Sequence, residues 1–270
     1  MHVITMDAVV RTETWFPRRF ADAEERPWGV LFSTPEIPDS HDGNHACILR
    51  SDVDHRAVVT EIVAFYEERQ VTPRVYYLSA SASDPRLVDA LFASGFMVGH
   101  PNTMRVFVHQ DRSVAEPSPA VHVRCLRDID DRVLAALATI ENVRMAKVLQ
   151  RRLAHPDAWL FLGEIDGQPA SVALLERFGE ICRVDEVHTV KRHRRRGCAR
   201  AVIHALVAYQ EEHASGSLYL WTESPVAEQI YVEAGFRGAE YSPASWVAWR
   251  EGGGGEAWSP GHLDRLSPVW

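Results

Sequence analysis

The stretch Val187–Tyr209, VHTVKRHRRRGCARAVIHALVAY, decides the fold. It opens with a short alternation, Val187 and Thr189 on one face, which reads as the end of a β-strand. Of the six residues Lys191–Arg196, five are Lys or Arg and the other is His193. After Gly197, the apolar residues Val202, Ile203, Leu206, Val207 and Tyr209 recur at helical spacing. A strand, a cationic turn with glycine and then a helix is an order that builds an anion site. The first N–H groups of a helix lack internal partners and sit at the positive end of its dipole. Gly197 lets a ligand approach the backbone, and small Ala199 keeps the first turn uncluttered. A phosphate or pyrophosphate is the expected guest. The same cluster also fits a solvated loop, a nucleic-acid patch or a localisation signal. The formal net charge of −8 and the lack of a second basic run weigh against nucleic acid.

A second pattern lies downstream in Leu218–Phe236, LYLWTESPVAEQIYVEAGF. A strand is followed there by Ser224, Ala227, Tyr231, Gly235 and Phe236 at fixed intervals, with Gly-Phe as a helix stop before a returning strand. Together with Arg194-x-x-Gly197-x-Ala199, this resembles the GNAT superfamily of N-acetyltransferases. Its signature is Gln/Arg-x-x-Gly-x-Gly/Ala between strand and helix, then Asn-x-x-Ala-x-x-x-Tyr-x-x-x-Gly-Phe. Ser224 stands where Asn is commoner. The resemblance implies an α/β (α+β) fold with a mixed, mainly antiparallel central sheet flanked by helices. It implies acetyl-CoA as cosubstrate, its pyrophosphate on the loop amides of Arg194, Arg195, Arg196, Gly197, Cys198, Ala199 and Arg200. Main-chain groups of His188, Thr189 and Val190 would pair with the pantetheine arm, with Ser224 and Ala227 beside it.

Composition bounds the rest. The chain has 270 residues, 46% hydrophobic and 24% charged, which suits about two globular domains. No apolar run reaches membrane-spanning length, and the N-terminus lacks a signal-peptide core, so a cytoplasmic protein with no membrane partner is expected. Cys47, Cys125, Cys182 and Cys198 have no Cys-x-x-Cys spacing and read as reduced thiols, Cys198 as a small residue packed under the helix start. The histidines read as scattered, and no metal site is expected.

The first half reads as a diverged copy of the second. HRAVVTEIVAFYEER (55–69) is an amphipathic helix that aligns with 199–213, VYYL (75–78) answers LYLW (218–221), and Gly95-Phe96 answers Gly235-Phe236. In this copy Val53 answers Gly197, Asp52 and Asp54 sit where a pyrophosphate would bind, and Leu91 answers Tyr231. Like charges in a desolvated niche are costly, so this half should not hold CoA. The expected division is a degenerate domain over 1–112, a linker over 113–120, a catalytic domain over 121–250 with a last strand at 245–250, and a flexible tail over 251–270. Helices are expected at 84–94, 132–144 and on to about 153, with Asp128 or Asp130 as cap. A hairpin is expected at Asp166-Gly167.

Acetyl transfer to an amine needs a base for the ammonium, a donor for the oxyanion and an acid for the thiolate. Asp185 and Glu186, on the strand before the loop, are the base candidates. Adjacent strand residues point to opposite faces, so only one should look into the cleft; Glu186 is favoured for its reach. Tyr231 is the acid that the resemblance implies. The expected activity is direct acetyl transfer to a primary amine, first of a small molecule and second of a protein, by a monomer or homodimer. A CoA-binding sensor without turnover is the alternative.

Overall fold

The computed structural model describes residues 4–79, 84–99, 102–103, 105–111, 120–140, 143–214, 216–240 and 242–250. Most of the expected linker and all of the expected tail lie outside these residues. The chain forms two compact units, one over 105–241 and the other over 6–104 together with the segment from 242.

The first unit begins with α1 (Met6–Trp15), β1 (Asp22–Arg26) and β2 (Gly29–Ser33). Neither α1 nor β1 was legible as a periodic signal. β1 is the sequence DAEER at the sheet edge, held by charge rather than burial. Arg26 bridges Glu24 at 3.0 Å and Glu61 at 2.7 Å, and charged residues on an edge also discourage pairing with another chain. β3 (Ala46–Ile48), α2 (His55–Glu68), β4 (Arg74–Ser79), α3 (Pro85–Ala93), β5 (Met97–Val98) and β6 (Asn102–Thr103) follow. The apolar stripe of α2, Val58, Val59, Ile62, Phe65 and Tyr66, packs with Leu87, Ala90 and Leu91 of α3 in one core.

The second unit contains β7 (Val106–His109), β8 (His122–Leu126), α4 (Asp131–Ile140), α5 (Val143–Leu153), β9 (Ala158–Ile165), β10 (Gln168–Phe178), β11 (Ile181–Thr189), α6 (Cys198–His213), β12 (Ser217–Trp221), α7 (Pro225–Glu233) and β13 (Phe236–Gly238). The cap of α4 is Asp130, whose carboxylate accepts from Val133 N at 2.7 Å. Of the helix expected over 132–144, α4 holds 132–140 and α5 holds 143–144, while 141–142 lie outside the described residues. The β9–β10 turn has Asp166 at φ 51° and Gly167 at φ 70°, the left-handed pair of a two-residue hairpin. The sheet order is β13-β7-β12-β11-β10-β9-β8, with only β11 and β12 parallel. One face packs under α6 and α7 and the other under α4 and α5.

The two units share one plan, as expected of a tandem. Each has a parallel strand pair, β3 with β4 or β11 with β12, joined through a helix. In each, an antiparallel strand then lies beside the second member of that pair. The origin of that strand is the correction. β14 (Ala244–Trp249), expected to close the catalytic domain, pairs with β4 of the first sheet, from Ala244–Ser79 to Trp249–Arg74. β7, from the chain's first half, pairs with β12 of the second sheet. Trp246 stacks on Tyr77 with ring centroids 4.9 Å apart, while Phe107 is buried in the core under α6. Both segments alternate as half-buried strands do, and alternation does not say which sheet a strand will join. A self-contained 121–250 domain is therefore not the division that the sheets make. Among the described residues no helix is long and apolar enough to cross a membrane.

A chain truncated after residue 241 should keep amide protection in β12 and lose it in β4, as read by hydrogen exchange. Equal protection of β4 in the truncated and full chains would contradict the exchange of strands.

Candidate active site

The end of β11 is where backbone irregularity collects. Its register with β10 runs Thr189–Ser171 and His188–Val172, then resumes at Asp185–Leu174. Glu186 and Val187 thus share the space opposite Ala173, a β-bulge, and Glu186 takes φ 51°. A non-glycine residue there costs about 1–2 kcal/mol, so something must hold it. β12 pairs with β11 only through Ile181–Arg183, and β11 continues to Thr189 past that last pair, so the two parallel strands part beside the bulge.

What holds the bulge is a guanidinium. Arg152 of α5 has a side chain with no exposure. It is ion-paired to the equally buried Glu176 of β10, to Asp185 at 2.7 Å and to Glu186 at 2.9 Å. Arg183 adds a second cation on Asp185, and His188 Nε2 lies 3.0 Å from Glu186 Oε2. Partners across a strand pair share a face. Val172 and Leu174 belong to the core under α4 and α5, so His188 and Asp185 stand on that face. Val187 packs on the α6 side. The bulge brings Glu186 round to join Asp185, which overturns the expectation that the two carboxylates face opposite ways. Burial alone would raise the Asp185 pKa, but Arg183 and Arg152 outweigh it and hold the carboxyl well below its usual range. Such a group is a poor proton acceptor near neutrality.

Arg152 and Glu176 were missed in the sequence. Arg152 sits in QRRL, which reads as a solvated helix end. The signal was present in Glu176, a carboxylate at the end of the buried run ASVALL: a charge fully buried in a strand needs a partner.

The loop after β11 makes a 3-10 turn at Lys191–His193 and then passes through two left-handed residues, Arg195 at φ 60° and Gly197 at φ 80°. Gly197 is the N-cap of α6 and supplies no side-chain cap. Ala201 N already donates to Gly197 O, so the amides of Cys198, Ala199 and Arg200 head the helix. His193 is buried between Arg192 and Arg196, whose guanidinium nitrogens lie 3.0 and 3.1 Å from its ring nitrogens. Burial first, then those two cations, push its pKa down, so the ring is a neutral spacer between arginines. Arg194 Nε donates to Thr189 O at 3.3 Å. The start of α2 differs. Its N-cap Asp54 accepts from Arg56 N at 3.0 Å and Ala57 N at 3.2 Å, and Asp52 is paired with Arg50. The amides that an anion would use are already bound by the chain's own carboxylate.

Several expected cofactor contacts are engaged otherwise. Arg200 clamps Glu233 of α7 through Nε at 2.7 Å and Nη2 at 2.6 Å, leaving its amide at the loop. The Cys198 thiol is buried, donates to His193 O, and has a raised pKa chiefly from burial; it is packed under the helix start. Ser224 is the N-cap of α7, accepting from Ala227 N at 3.3 Å, and Ala227 is core. Thr189 Oγ1 lies 2.9 Å from Ser171 Oγ. Tyr231, also on α7, is buried, and burial followed by the nearby Asp185 charge raises its pKa well above the usual phenol value. The Tyr231 hydroxyl is therefore within electrostatic reach of the carboxylate cluster. His41 and His45 stand four residues apart, yet among the described residues no group of three or more His, Cys, Asp or Glu is arranged to hold a metal.

The family model described as the acetyltransferase (GNAT) domain matches residues 126–243. No curated protein matches the sequence. Among solved structures, a GCN5-related N-acetyltransferase from Kribbella flavida is similar over 98% of this chain and 99% of its own, with a TM-score of 0.68 and 16% identity. A GCN5-related N-acetyltransferase-like protein from Streptococcus suis covers 91% of this chain and 98% of its own, with a TM-score of 0.52 and 10% identity. A tandem GNAT protein from the clavulanic acid biosynthesis pathway covers 76% of this chain and 74% of its own, with a TM-score of 0.50 and 12% identity. At these identities the structural likeness speaks for the fold, and the family match speaks for the domain. Residues 126–243 thus match a GNAT acetyltransferase domain, and the chain shares the fold of these acetyltransferases.

Proposed function

We propose that the unit over 105–241 transfers an acetyl group from acetyl-CoA directly to a primary amine, in the first instance of a small molecule. The observation that carries this is the start of α6: an N-cap glycine at φ 80° with no side-chain cap, directly after a strand that outruns its neighbour. The amides of Cys198, Ala199 and Arg200 and the positive end of the α6 dipole suit a diphosphate, with Arg194, Arg195 and Arg196 around it. The stretch His188–Val190 would run beside the pantetheine arm. The unit over 6–104 takes no part in cofactor binding in this reading, because Asp54 occupies its corresponding amides.

The chemistry follows from charge. An alkylammonium must lose a proton before its nitrogen attacks the thioester carbon. The C–S bond then breaks, sulfur takes the proton of the Tyr231 phenol, and the phenolate recovers one from the ammonium of the collapsing intermediate. Over the cycle one proton leaves to solvent. A phenol whose pKa is raised stays protonated at neutral pH, as an acid must. Of the two carboxylates, Asp185 is immobilised by two guanidiniums, so the proton path is assigned to the Glu186 side of the cluster. The face under α4 and α5 brings the carboxylates of Glu176, Asp185 and Glu186 together around Arg152, with Arg183 on Asp185; an acidic face of this kind, with the chain's formal net charge of −8, supports a cationic acceptor.

Two substitutions test the reading in an assay of free CoA released from acetyl-CoA with a panel of polyamines, aminoglycosides, amino acids and peptides. Tyr231→Phe should lower kcat by about 10²-fold while the Kd for acetyl-CoA, by calorimetry, stays within about twofold; unchanged turnover refutes the acid role. Gly197→Val places a β-branched residue at a left-handed position and should weaken acetyl-CoA binding by about tenfold or more. Wild-type binding of acetyl-CoA with no acetylation of any amine would favour the sensor reading instead.

A further inference from the structure

We propose that Trp221, at the end of β12, is the side chain on which the acyl acceptor rests, and that it selects an amine carrying a second, positively charged amino group; this deepens the transferase reading above and rests on it. A single exposed apolar side chain is ordinary, so the exposure of Trp221 counts for little by itself. Its place in the sheet is what carries the inference.

Alternation gives the face. Leu218 and Leu220 belong to the core under α6 and α7, so Tyr219 and Trp221 point to the other side of β12, toward α4 and α5. The pairing with β7 agrees: Leu220 lies opposite Phe107 of that same core, and Trp221 lies opposite Val106. On β11, Cys182 and Val184 are also in the core under α6, so Arg183 and Asp185 share the α4 and α5 side with Trp221.

Register gives the level. The last pair between the two parallel strands is Arg183 with Tyr219. Two residues farther along each strand come Asp185 and Trp221, at matching positions on the two sides of the opening. Burial changes over that step. The Arg183 side chain is 3% exposed and Tyr219 0%, whereas the Asp185 side chain is 24% exposed and Trp221 38%. The Tyr231 phenol, which comes from α7, is within electrostatic reach of Asp185. An indole and a carboxylate thus flank one opening, and the proposed acid is close to it.

The chemistry of the two flanks names the guest. The nitrogen that attacks the thioester must be neutral, so it is not the atom that an electron-rich ring attracts. An indole face binds cations better than the other aromatic side chains do, and a part-exposed carboxylate across the opening favours positive charge again. An apolar group in that place would gain the ring but desolvate Asp185 without return. A diamine, polyamine or amino sugar meets both demands: one amino group loses its proton and attacks, and another stays charged on Trp221. The formal net charge of −8 draws such cations toward the chain. Trp221 binds the acceptor and takes no part in proton transfer, so its effect belongs to KM.

The test uses the full chain, acetyl-CoA and the best amine of the panel, alongside an analogue in which each amino group except the reacting one is replaced by methyl; for cadaverine that analogue is hexylamine. Wild type should favour the amine over its analogue by about tenfold or more in kcat/KM. Trp221→Leu keeps apolar bulk and removes the ring. It should raise the acceptor KM by about tenfold, with kcat and the Kd for acetyl-CoA within about twofold of wild type. Trp221→Phe keeps a weaker ring and should raise that KM by only about threefold. Retained acetyl-CoA binding reports that each variant is folded; should Trp221→Leu lose it, Trp221→Phe decides by the same criterion. A best amine with a single amino group, an unchanged acceptor KM in the variants, or an equal rise for the amine and its analogue overturns the assignment and leaves the transferase reading standing. Wild-type protein that acetylates no amine overturns both.

Discussion

A guanidinium with no exposure dictates much of what surrounds it. Arg152 could not remain charged inside the second unit without anions, and it gathers three of them, from β10 and from two successive residues of β11. Two successive strand residues can reach one partner only if the strand is irregular between them. The bulge at Glu186 is therefore the geometric counterpart of the ion cluster: the left-handed backbone is tolerated because the carboxylate it delivers neutralises a buried cation. The same irregularity lies where β11 and β12 separate, so the site and the electrostatic core of the domain share their residues. Buried ion pairs of this kind are weak evidence of stability, because desolvation offsets their attraction.

The two units show how small a difference distinguishes a helix start that can accept an anion from one that cannot. Both α2 and α6 follow a strand of a parallel pair and pack an apolar stripe on their sheet. At α2 the N-cap is a carboxylate that reaches its own second and third amides; at α6 it is a glycine with nothing to offer them. The buried Leu91 of α3 makes the same point for chemistry, since it fills the core where α7 carries a phenol. The first unit has the architecture of its twin and has satisfied internally the groups that the twin keeps available.

The loop and its helix were legible because their requirements are local. Gly197 at a left-handed cap, the arginine run and the apolar stripe of α6 lie within one short stretch. The same holds for the Asp166-Gly167 hairpin and the Asp130 cap. What escaped was set by partners distant in sequence. Nothing near Arg152 announces Glu176, Asp185 or Glu186, and a charged residue at a helix end ordinarily points to water. The strand DAEER has no apolar alternation, because its support is the ion pairs of Arg26. The period-two rule failed at Asp185 and Glu186 for a related reason: it describes a regular strand, and a buried ion cluster is sufficient cause for a strand to be irregular.

The origin of β14 bears on synthesis. A ribosome delivers residues 6–104 first, yet the strand that lies between β4 and β5 of their sheet is among the last described residues to emerge. Until then the inner edge of β4 stays without its neighbour, while the second sheet, whose β7 has already been made, can close as soon as β12 and β13 are out. The order of completion is thus inverted relative to the order of translation. A nascent first half would present an adhesive strand edge for most of its time on the ribosome, a period in which chaperone attendance matters more than intrinsic helix propensity.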